Sequence, residues 1–301
     1  MTTLLTGANG LVGSMIDADL RISGRDQVDL RDWYSTERYF RSHSPDTVIH
    51  TAARVGGLGA NMNNMADFYY DNILINSNVL EASRKFGVKR VVSFLSTCIF
   101  PDDVEYPLTE DKLHQGEPHF SNFGYAYAKR MLEVHSRALK TQHGLDYTCV
   151  IPTNIYGPHD NFNLKDSHVL PALIHKCYLA KRDNTDLVVW GSGKPLREFI
   201  FSEDVGKLTN LICQYYTGND PLILSTSEEI SIRQAAYTVA EAMGFEGKVV
   251  FDYSKPDGQF RKPTSNLRLR DFVPEFEFTP FNEGVKKTVD WFVSNYDTCR
   301  K

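Results

Sequence analysis

Tyr125 and Lys129 are the pair of side chains in this sequence best suited to chemistry. Residues four apart on a helix share one face, so the lysine ammonium can lie beside the tyrosine hydroxyl. A neighbouring positive charge favours the phenolate and would lower the pKa of Tyr125 from its usual value of about 10. Such a tyrosine is a proton donor for a carbonyl that is reduced by hydride. A surface helix can carry the same spacing by chance, so the pair alone is a weak signal.

Two further features strengthen this interpretation. Gly7, Gly10 and Gly13 form a G-x-x-G-x-x-G loop directly after an apolar segment. Glycines let a backbone turn sharply and let a pyrophosphate approach the N-terminus of the helix that follows. Ser96 ends another apolar segment, and we expect it at the carboxyl edge of a sheet, where it can hydrogen-bond a substrate carbonyl or simply cap a turn. Together these features predict a reductase that uses a nicotinamide dinucleotide.

The 2′ position of the cofactor's ribose is normally read at the end of the second strand, where an acid selects NAD and an arginine selects NADP. Arg25 lies near this point in the sequence. We therefore expect NADP(H) as the cofactor. In the alternative, Asp26 or Asp29 binds a ribose hydroxyl and Arg25 is a solvated surface charge.

The first half of the chain alternates short apolar segments with helical patterns, which is typical of parallel βαβ units. The predicted strands lie at 3–6, 46–51, 90–95 and 146–151, and the predicted helices at 31–43, 67–86, 124–143, 169–181, 203–217, 231–243 and 282–296. The segment between Gly13 and Arg25 is too short for a full crossover, so we expect a stunted first helix and a marginal second strand.

These patterns predict an α/β fold, with a doubly wound parallel sheet of the Rossmann type and a smaller, mixed α/β C-terminal substrate lobe. Residues 1–165 are expected to form the NADP-binding domain, with 199–226 returning to it, and 166–301 mainly the substrate lobe. Loops rich in His, Asn, Asp and Pro over 156–168 are expected to face the substrate.

The composition excludes several other classes of protein. Of the 301 residues, 42% are hydrophobic and 24% charged, which is typical of a soluble globular chain. A net charge of −5 argues against a broad nucleic-acid-binding surface, and no segment reaches the ~18 apolar residues of a membrane span. The five cysteines are irregularly spaced. We therefore expect neither a metal site nor a disulfide framework, and a cytoplasmic location.

The glycine loop, Ser96, Tyr125 and Lys129 resemble the extended short-chain dehydrogenase/reductase family, which acts largely on nucleotide sugars. Further strings resemble a branch that epimerises a GDP-linked keto sugar and then reduces it. They lie at 53–61, 96–101, 152–162, 167–172, 189–199 and 254–258, so the resemblance covers nearly the whole chain. It implies GDP-4-keto-6-deoxy-D-mannose as substrate, epimerisation at C3 and C5, reduction at C4 by NADPH, and a homodimer.

The resemblance implies two more catalytic residues, Cys98 and His168. An epimerase needs a base and an acid with pKa values near working pH, and both residue types suit that task. If the chain stays extended after Ser96, the side chain of Cys98 points the same way as that of Ser96. Without the resemblance, Cys98 would more often be a small core residue and His168 a solvated loop histidine.

The resemblance also assigns binding residues, of which lysine and arginine suit a diphosphate, and an aromatic face and a carboxylate suit guanine. The cofactor site comprises Gly7, Asn9, Gly10, Leu11, Val12, Gly13, Arg25, Ala53, Lys129, Pro152, Thr153, Asn154, Ile155 and His168. The GDP-sugar site comprises Lys176, Trp190, Arg197 and Asp257. Two departures bear on cofactor phosphate recognition, namely Asn9, where some relatives carry a basic residue, and the short 14–25 segment.

Three alternatives remain at this point. A sugar 4-epimerase keeps its NAD tightly bound and needs no Cys/His pair. A 4,6-dehydratase usually has Asp-Glu after the serine or threonine, where this chain has Cys98-Ile99. A non-catalytic NADP(H)-binding sensor has no need of the Tyr/Lys pair. The helices at 67–86 and 124–143 are the candidate dimer surfaces.

Overall fold

The computed structural model, which describes residues 1–218 and 220–301, alternates strands and helices. Its strands are β1 (Thr3–Thr6), β2 (Leu20–Ile22), β3 (Thr47–His50), β4 (Arg90–Phe94), β5 (Asp146–Pro152), β6 (Asn154–Tyr156), β7 (Leu187–Trp190), β8 (Leu196–Phe201), β9 (Leu222–Leu224), β10 (Glu229–Ser231) and β11 (Val249–Asp252). Its helices are α1 (Trp33–His43), α2 (Leu58–Asn63), α3 (Met65–Lys85), α4 (Phe123–His143), α5 (Val169–Asp183), α6 (Ser202–Tyr215), α7 (Ile232–Met243), α8 (Leu267–Phe272) and α9 (Phe281–Ser294).

The central sheet has six parallel strands in the order β2-β1-β3-β4-β5-β9. Strands β3 and β4 are buried along their whole length, as expected where helices cover both faces of a parallel sheet. The order runs outward in both directions from β1, so a crevice forms where β1 and β3 end side by side. The doubly wound sheet is confirmed.

The stunted first crossover is also confirmed. After the glycine loop the chain makes only a 3₁₀ turn, Gly13–Met15, before the three-residue strand β2. The guanidinium of Arg21 donates to the carbonyl oxygens of Ile16 at 2.7 Å, Gly13 at 3.0 Å and Ala8 at 3.1 Å. Backbone carbonyl groups that are removed from water need a hydrogen-bond donor. In a longer helix, backbone N–H groups would be the donors; here the side chain of Arg21 donates to all three carbonyls.

Two smaller sheets complete the fold, with strand orders β10-β8-β6 and β11-β7. Strand β10 is antiparallel to β8, and β6 is parallel to it, so this region is mixed α/β as predicted. Helices α5, α7 and α9 pack together around a core that includes Phe162, Leu173, Val239 and Phe292. Within the described parts of the chain, none of the helices has both the length and the apolar character needed to cross a membrane.

Candidate functional site

A cavity of about 430 Å³ opens at the carboxyl ends of the central strands. Its wall is built from the glycine loop, the ends of β2, β3, β4 and β5, helix α4, the 160–168 loop and Arg300. Among the described residues predicted for catalysis or for the cofactor, all but Asn9 and Cys98 line this cavity. The fold therefore brings together residues that are far apart in the sequence.

Steric constraints at two positions require glycine in the loop. Gly7 has a φ of +72°, and a Cβ there would lie 2.8 Å from the amide nitrogen of Ala52 at the end of β3. A Cβ on Gly13 would lie 2.2 Å from the carbonyl oxygen of Gly7. Real Cβ atoms do not approach so closely, so the loop can fold against β3 only with glycine at both places. This tight turn fits the backbone cradle of a dinucleotide.

Asp29 and Arg25 lie at the end of β2, where cofactors are distinguished. Asp29 lines the cavity, but its two carboxylate oxygens accept hydrogen bonds from Arg31 at 2.9 and 2.7 Å. These hydrogen bonds lower the pKa of Asp29. Arg25 also lines the cavity, and its side chain is 57% exposed. Arg25 is exposed beside the cavity and pairs only loosely with Asp71, at 3.6 Å, whereas the carboxylate of Asp29 is held by Arg31. This arrangement favours a 2′-phosphate over a 2′-hydroxyl.

Ser96 and Cys98 follow β4, but the chain does not stay extended there. A 3₁₀ turn covers Thr97–Ile99, and the hydroxyl oxygen of Ser96 accepts a hydrogen bond from the backbone N–H of Cys98 at 3.4 Å. The condition for both side chains to point the same way, an extended chain after Ser96, is therefore not met, because Ser96 caps the turn instead. Ser96 nevertheless lines the cavity, so the capping and substrate-facing interpretations are both compatible with its position.

Tyr125 and Lys129 line the cavity from α4, but their electrostatics differ from the prediction. Burial raises the pKa of Tyr125, so the expected lowering by Lys129 was wrong for the protein by itself. The Lys129 ammonium lies 5.9 Å from the tyrosine ring centre and donates to the carbonyl oxygen of Phe94 at 2.7 Å. Burial lowers the pKa of Lys129 to about 8, which makes it able to release a proton near physiological pH.

Burial shifts the pKa values of Cys98 and His168 in opposite directions. His168 immediately precedes α5 and lines the cavity, and burial lowers its pKa. Burial raises the pKa of Cys98, and the nearby charges of Lys262 and Lys129 oppose that shift. Burial thus favours the neutral form of both side chains, the thiol of Cys98 and the uncharged imidazole of His168.

The four residues predicted for the GDP-sugar lie outside the 430 Å³ cavity, at the β7 edge of the smaller lobe. The Lys176 ammonium lies 4.3 Å from the ring centre of Trp190, whose side chain is largely exposed. Asp257 accepts from the backbone N–H of Ser192 at 2.8 Å and from its hydroxyl at 2.6 Å. Nearby, Arg197 donates to the carbonyl oxygen of Gln259 at 2.7 Å. An exposed aromatic face beside cations and a carboxylate is suited to a purine nucleotide.

The sequence prediction missed several residues of the cavity wall, among them Arg54, Asp160 and Arg300. Arg54 and Asp160 stand inside strings that carry the resemblance, so their charge was the available signal. Asp160 is 5% exposed, one of its oxygens has no hydrogen-bond partner among the described residues, and burial raises its pKa to about 7. Arg300 arrives from the far end of the chain, which no local pattern could predict.

Comparison with known proteins agrees with this geometry. The model of the "NAD dependent epimerase/dehydratase family" matches residues 3–223 of this chain. A GDP-L-fucose synthase from Dictyostelium discoideum is 48% identical and covers 100% of this chain and 98% of its own, and one from Escherichia coli is 37% identical over 98% of each. A solved GDP-L-fucose synthetase from Naegleria fowleri bound to NADP is 46% identical, with a TM-score of 0.94 over 99% of this chain and 94% of its own. This chain therefore belongs to the NAD-dependent epimerase/dehydratase family.

Proposed function

We propose that the protein converts GDP-4-keto-6-deoxy-D-mannose to GDP-L-fucose, by epimerisation at C3 and C5 and then reduction of the 4-keto group with NADPH. The observation that carries this proposal is the single cavity that joins the glycine loop and Arg25 to Ser96, Tyr125, Lys129 and His168. The similarity of this chain to GDP-L-fucose synthases over its full length supports the choice of substrate.

The cavity fits NADP(H) by its shape and charge. The glycine loop would hold the diphosphate, Arg25 the 2′-phosphate, and Pro152, Asn154 and Ile155 the nicotinamide end, all of which line the same wall. Leu11, Val12 and Ala53 add apolar contacts. When bound, the dinucleotide would supply the hydride that reduces C4. Asn9 does not line the described cavity. Its proposed contact with the cofactor is therefore made through the backbone of the glycine loop.

The 4-keto group acidifies the protons on C3 and C5, and Cys98 is the proposed base that removes each of them in turn. His168 is the proposed acid that returns a proton from the opposite face. Tyr125 then protonates the oxygen on C4 while Ser96 hydrogen-bonds it. Lys129, with its pKa near 8, is suited to replace the proton that Tyr125 gives up. At each of the two carbons one proton is removed by Cys98 and one is returned by His168, and both residues recover their starting protonation from solvent before the next carbon reacts. The reduction then consumes one proton from Tyr125 and one hydride.

The nucleotide end of the substrate is assigned to the lobe that carries Trp190. Guanine would stack on the exposed face of Trp190, and the carboxylate of Asp257 would accept from its N–H groups. Lys176 and Arg197 would neutralise the diphosphate. Burial lowers the pKa of both cations, and this cost is recovered when a dianionic group approaches.

The same proposal extends to the organisation of the protein. Residues 1–165 with 199–226 form the cofactor domain, and 166–301 mainly the substrate lobe, in a cytoplasmic homodimer. Strand β9 supports the return of the chain to the first domain, because it pairs with β5 in the central sheet. Exposed aromatic side chains on and beside α3 and α4, including Tyr70, Phe120 and Phe123, support pairing through these helices.

The order of the chemistry can be tested by solvent exchange in deuterated water. Cys98→Ser is expected to lose deuterium incorporation at C3 and C5 by about 100-fold or more. Tyr125→Phe is expected to keep exchange and to lose NADPH oxidation. Undiminished exchange in Cys98→Ser would exclude Cys98 as the base, and lost exchange in Tyr125→Phe would contradict the separation of the two steps.

A further inference from the structure

Three arginines converge on Asp71, a buried residue of α3. Two of them belong to the connection between β2 and α1, and the third follows β3. Arg54 Nη1 lies 2.9 Å from Asp71 Oδ2, and Arg25 Nη2 lies 3.6 Å from the same oxygen. Arg31 Nη1 lies 3.3 Å from Oδ1. Because Arg25 and Arg54 share one carboxylate oxygen and both line the cavity, their guanidiniums lie at the same end of it.

The third arginine has a different role from the other two. Arg31 forms a two-pronged pair with Asp29, at 2.9 Å and 2.7 Å, in addition to its contact with Asp71. The positive charge of Arg31 is therefore balanced within the protein. The same pair balances the negative charge of Asp29, which lines the cavity at the end of β2. Arg25 and Arg54 remain as the cations available to a ligand at this end. An anion that approaches Arg25 meets Arg54 as well.

The glycine loop supplies no positively charged side chain that could bind a phosphate together with Arg25. Residues 7–13 contain neither lysine nor arginine, and Asn9 does not line the described cavity. A phosphate monoester carries close to two negative charges near pH 7 and is held best by more than one guanidinium. A single exposed arginine would give it little affinity, because solvent screens such a pair. The second guanidinium must come from elsewhere in the fold.

We infer that Arg54 is a specificity-determining residue that binds the 2′-phosphate of NADP(H) together with Arg25, and that Asp71 is a positioning residue that holds both guanidiniums at the cavity. The inference rests on the proposed use of NADP(H). Arg54 is also packed over the ring of Phe68 at 5.0 Å, which fixes its plane. Its remaining partner, Asp67, is 64% exposed and lies 3.6 Å away, so this weak pair yields readily to a phosphate.

The test compares binding of NADPH, NADH and adenosine 2′-monophosphate to the purified protein by calorimetric titration. Arg54→Met is expected to weaken NADPH and adenosine 2′-monophosphate by about 10- to 100-fold and NADH by less than about threefold, since NADH has no 2′-phosphate. Arg54→Lys is expected to recover part of the loss. Arg41→Met is the matched control, because Arg41 is an exposed arginine paired to Glu37 on α1.

Asp71→Asn tests the positioning role. We expect KM for NADPH to rise about 5- to 10-fold with kcat within about twofold, and the preference for NADPH over NADH to fall by the same factor. A purely structural defect would weaken both dinucleotides equally, and that result in Arg54→Met or Asp71→Asn overturns the inference. If the unaltered protein fails to bind NADPH, the proposed function fails with it. If the unaltered protein prefers NADPH and Arg54→Met keeps that preference, only the assignment of Arg54 fails.

Discussion

The Lys129 ammonium and the carbonyl oxygen of Phe94 form a buried hydrogen bond of 2.7 Å. This bond ties the helix that carries Tyr125 to the strand that ends just before Ser96. Burial raises the pKa of Tyr125, so the neighbouring ammonium of Lys129 does not produce the expected lowering. Burial also lowers the pKa of Lys129 to about 8, so this lysine changes its charge near physiological pH.

Lys129 makes the stability of the fold depend on alkaline pH. Burial lowers its pKa from 10.5 to about 8, so its contribution to stability is fully present above pH 10.5 and is lost as pH falls through 8. We expect Lys129→Met to be more stable than the parent at pH 7 by about 1–2 kcal/mol, after allowance for the lost hydrogen bond. Reduction of the keto sugar should fall by at least about 100-fold. Urea unfolding at pH 7 and 10 measures the difference, and a gap that widens toward pH 10 contradicts the prediction.

Cys98 and His168 predict an unusually broad pH profile for proton exchange. The base has a pKa raised above 9.0 and the acid a pKa lowered below 6.5. When the base has the higher pKa of such a pair, the rate is flat between the two values and falls outside them. We therefore expect kcat/KM for solvent exchange at C3 and C5 to be level from pH 6.5 to 9. A narrow maximum inside that window would show that the two residues do not have these roles. In His168→Asn the alkaline limb should disappear, and the slower residual exchange should rise with pH until Cys98 is ionised, because only the thiolate form of the base then sets the rate.

Asp160 makes stability depend on pH in the opposite sense. Burial raises its pKa from 3.8 to about 7, so its contribution is fully present below pH 3.8 and is lost as pH rises through 7. Asp160→Asn keeps the acceptor that bonds the N–H of Asn161 at 2.7 Å but carries no charge. The variant should gain about 2–4 kcal/mol relative to the parent between pH 4 and 8. Equal pH dependence of the two proteins in thermal unfolding would contradict this account.

Arg21 is expected to support cofactor binding from beneath the glycine loop, through its bonds to the carbonyls of Ala8 and Gly13. Arg21→Met leaves these carbonyls without their donor, which costs about 1–3 kcal/mol of stability. Binding of NADPH should weaken about 10-fold, because the loop faces the diphosphate. Adenosine 2′-monophosphate has no diphosphate and should bind within about twofold of its original affinity. Equal weakening of the two ligands in calorimetric titration would show a general defect rather than a loosened loop.

Local patterns predicted the first half of the fold well. Strands β1 and β4 and helix α4 have apolar runs or stripes that neighbouring residues reveal, and the short crossover followed from counting residues between Gly13 and Arg25. The smaller sheets were not predicted. Strand β6 has three residues and pairs with β8, whose partner residues lie 45 positions later in the sequence (Asn154 with Phe199), so its stability depends on a distant partner.

The candidate site shows the same division between local and distant causes. Ser96 and Tyr125 were predicted from residue type and local pattern, and His168 from the resemblance to a family; all three line the cavity. The extended chain assumed for the direction of Cys98 is absent, because the Ser96 hydroxyl caps a turn that the alternation of strand residues does not reveal. The pKa of Tyr125 was predicted wrongly because helix spacing says nothing about burial.

The most direct test of the central claim is the reaction itself in deuterated water. The purified protein is incubated with GDP-4-keto-6-deoxy-D-mannose and NADPH, and the product sugar is identified by NMR. We predict stoichiometric oxidation of NADPH and formation of GDP-L-fucose with solvent deuterium at C3 and C5. Absence of NADPH oxidation, or a reduced sugar without deuterium at both carbons, would contradict a single site that epimerises twice and then reduces.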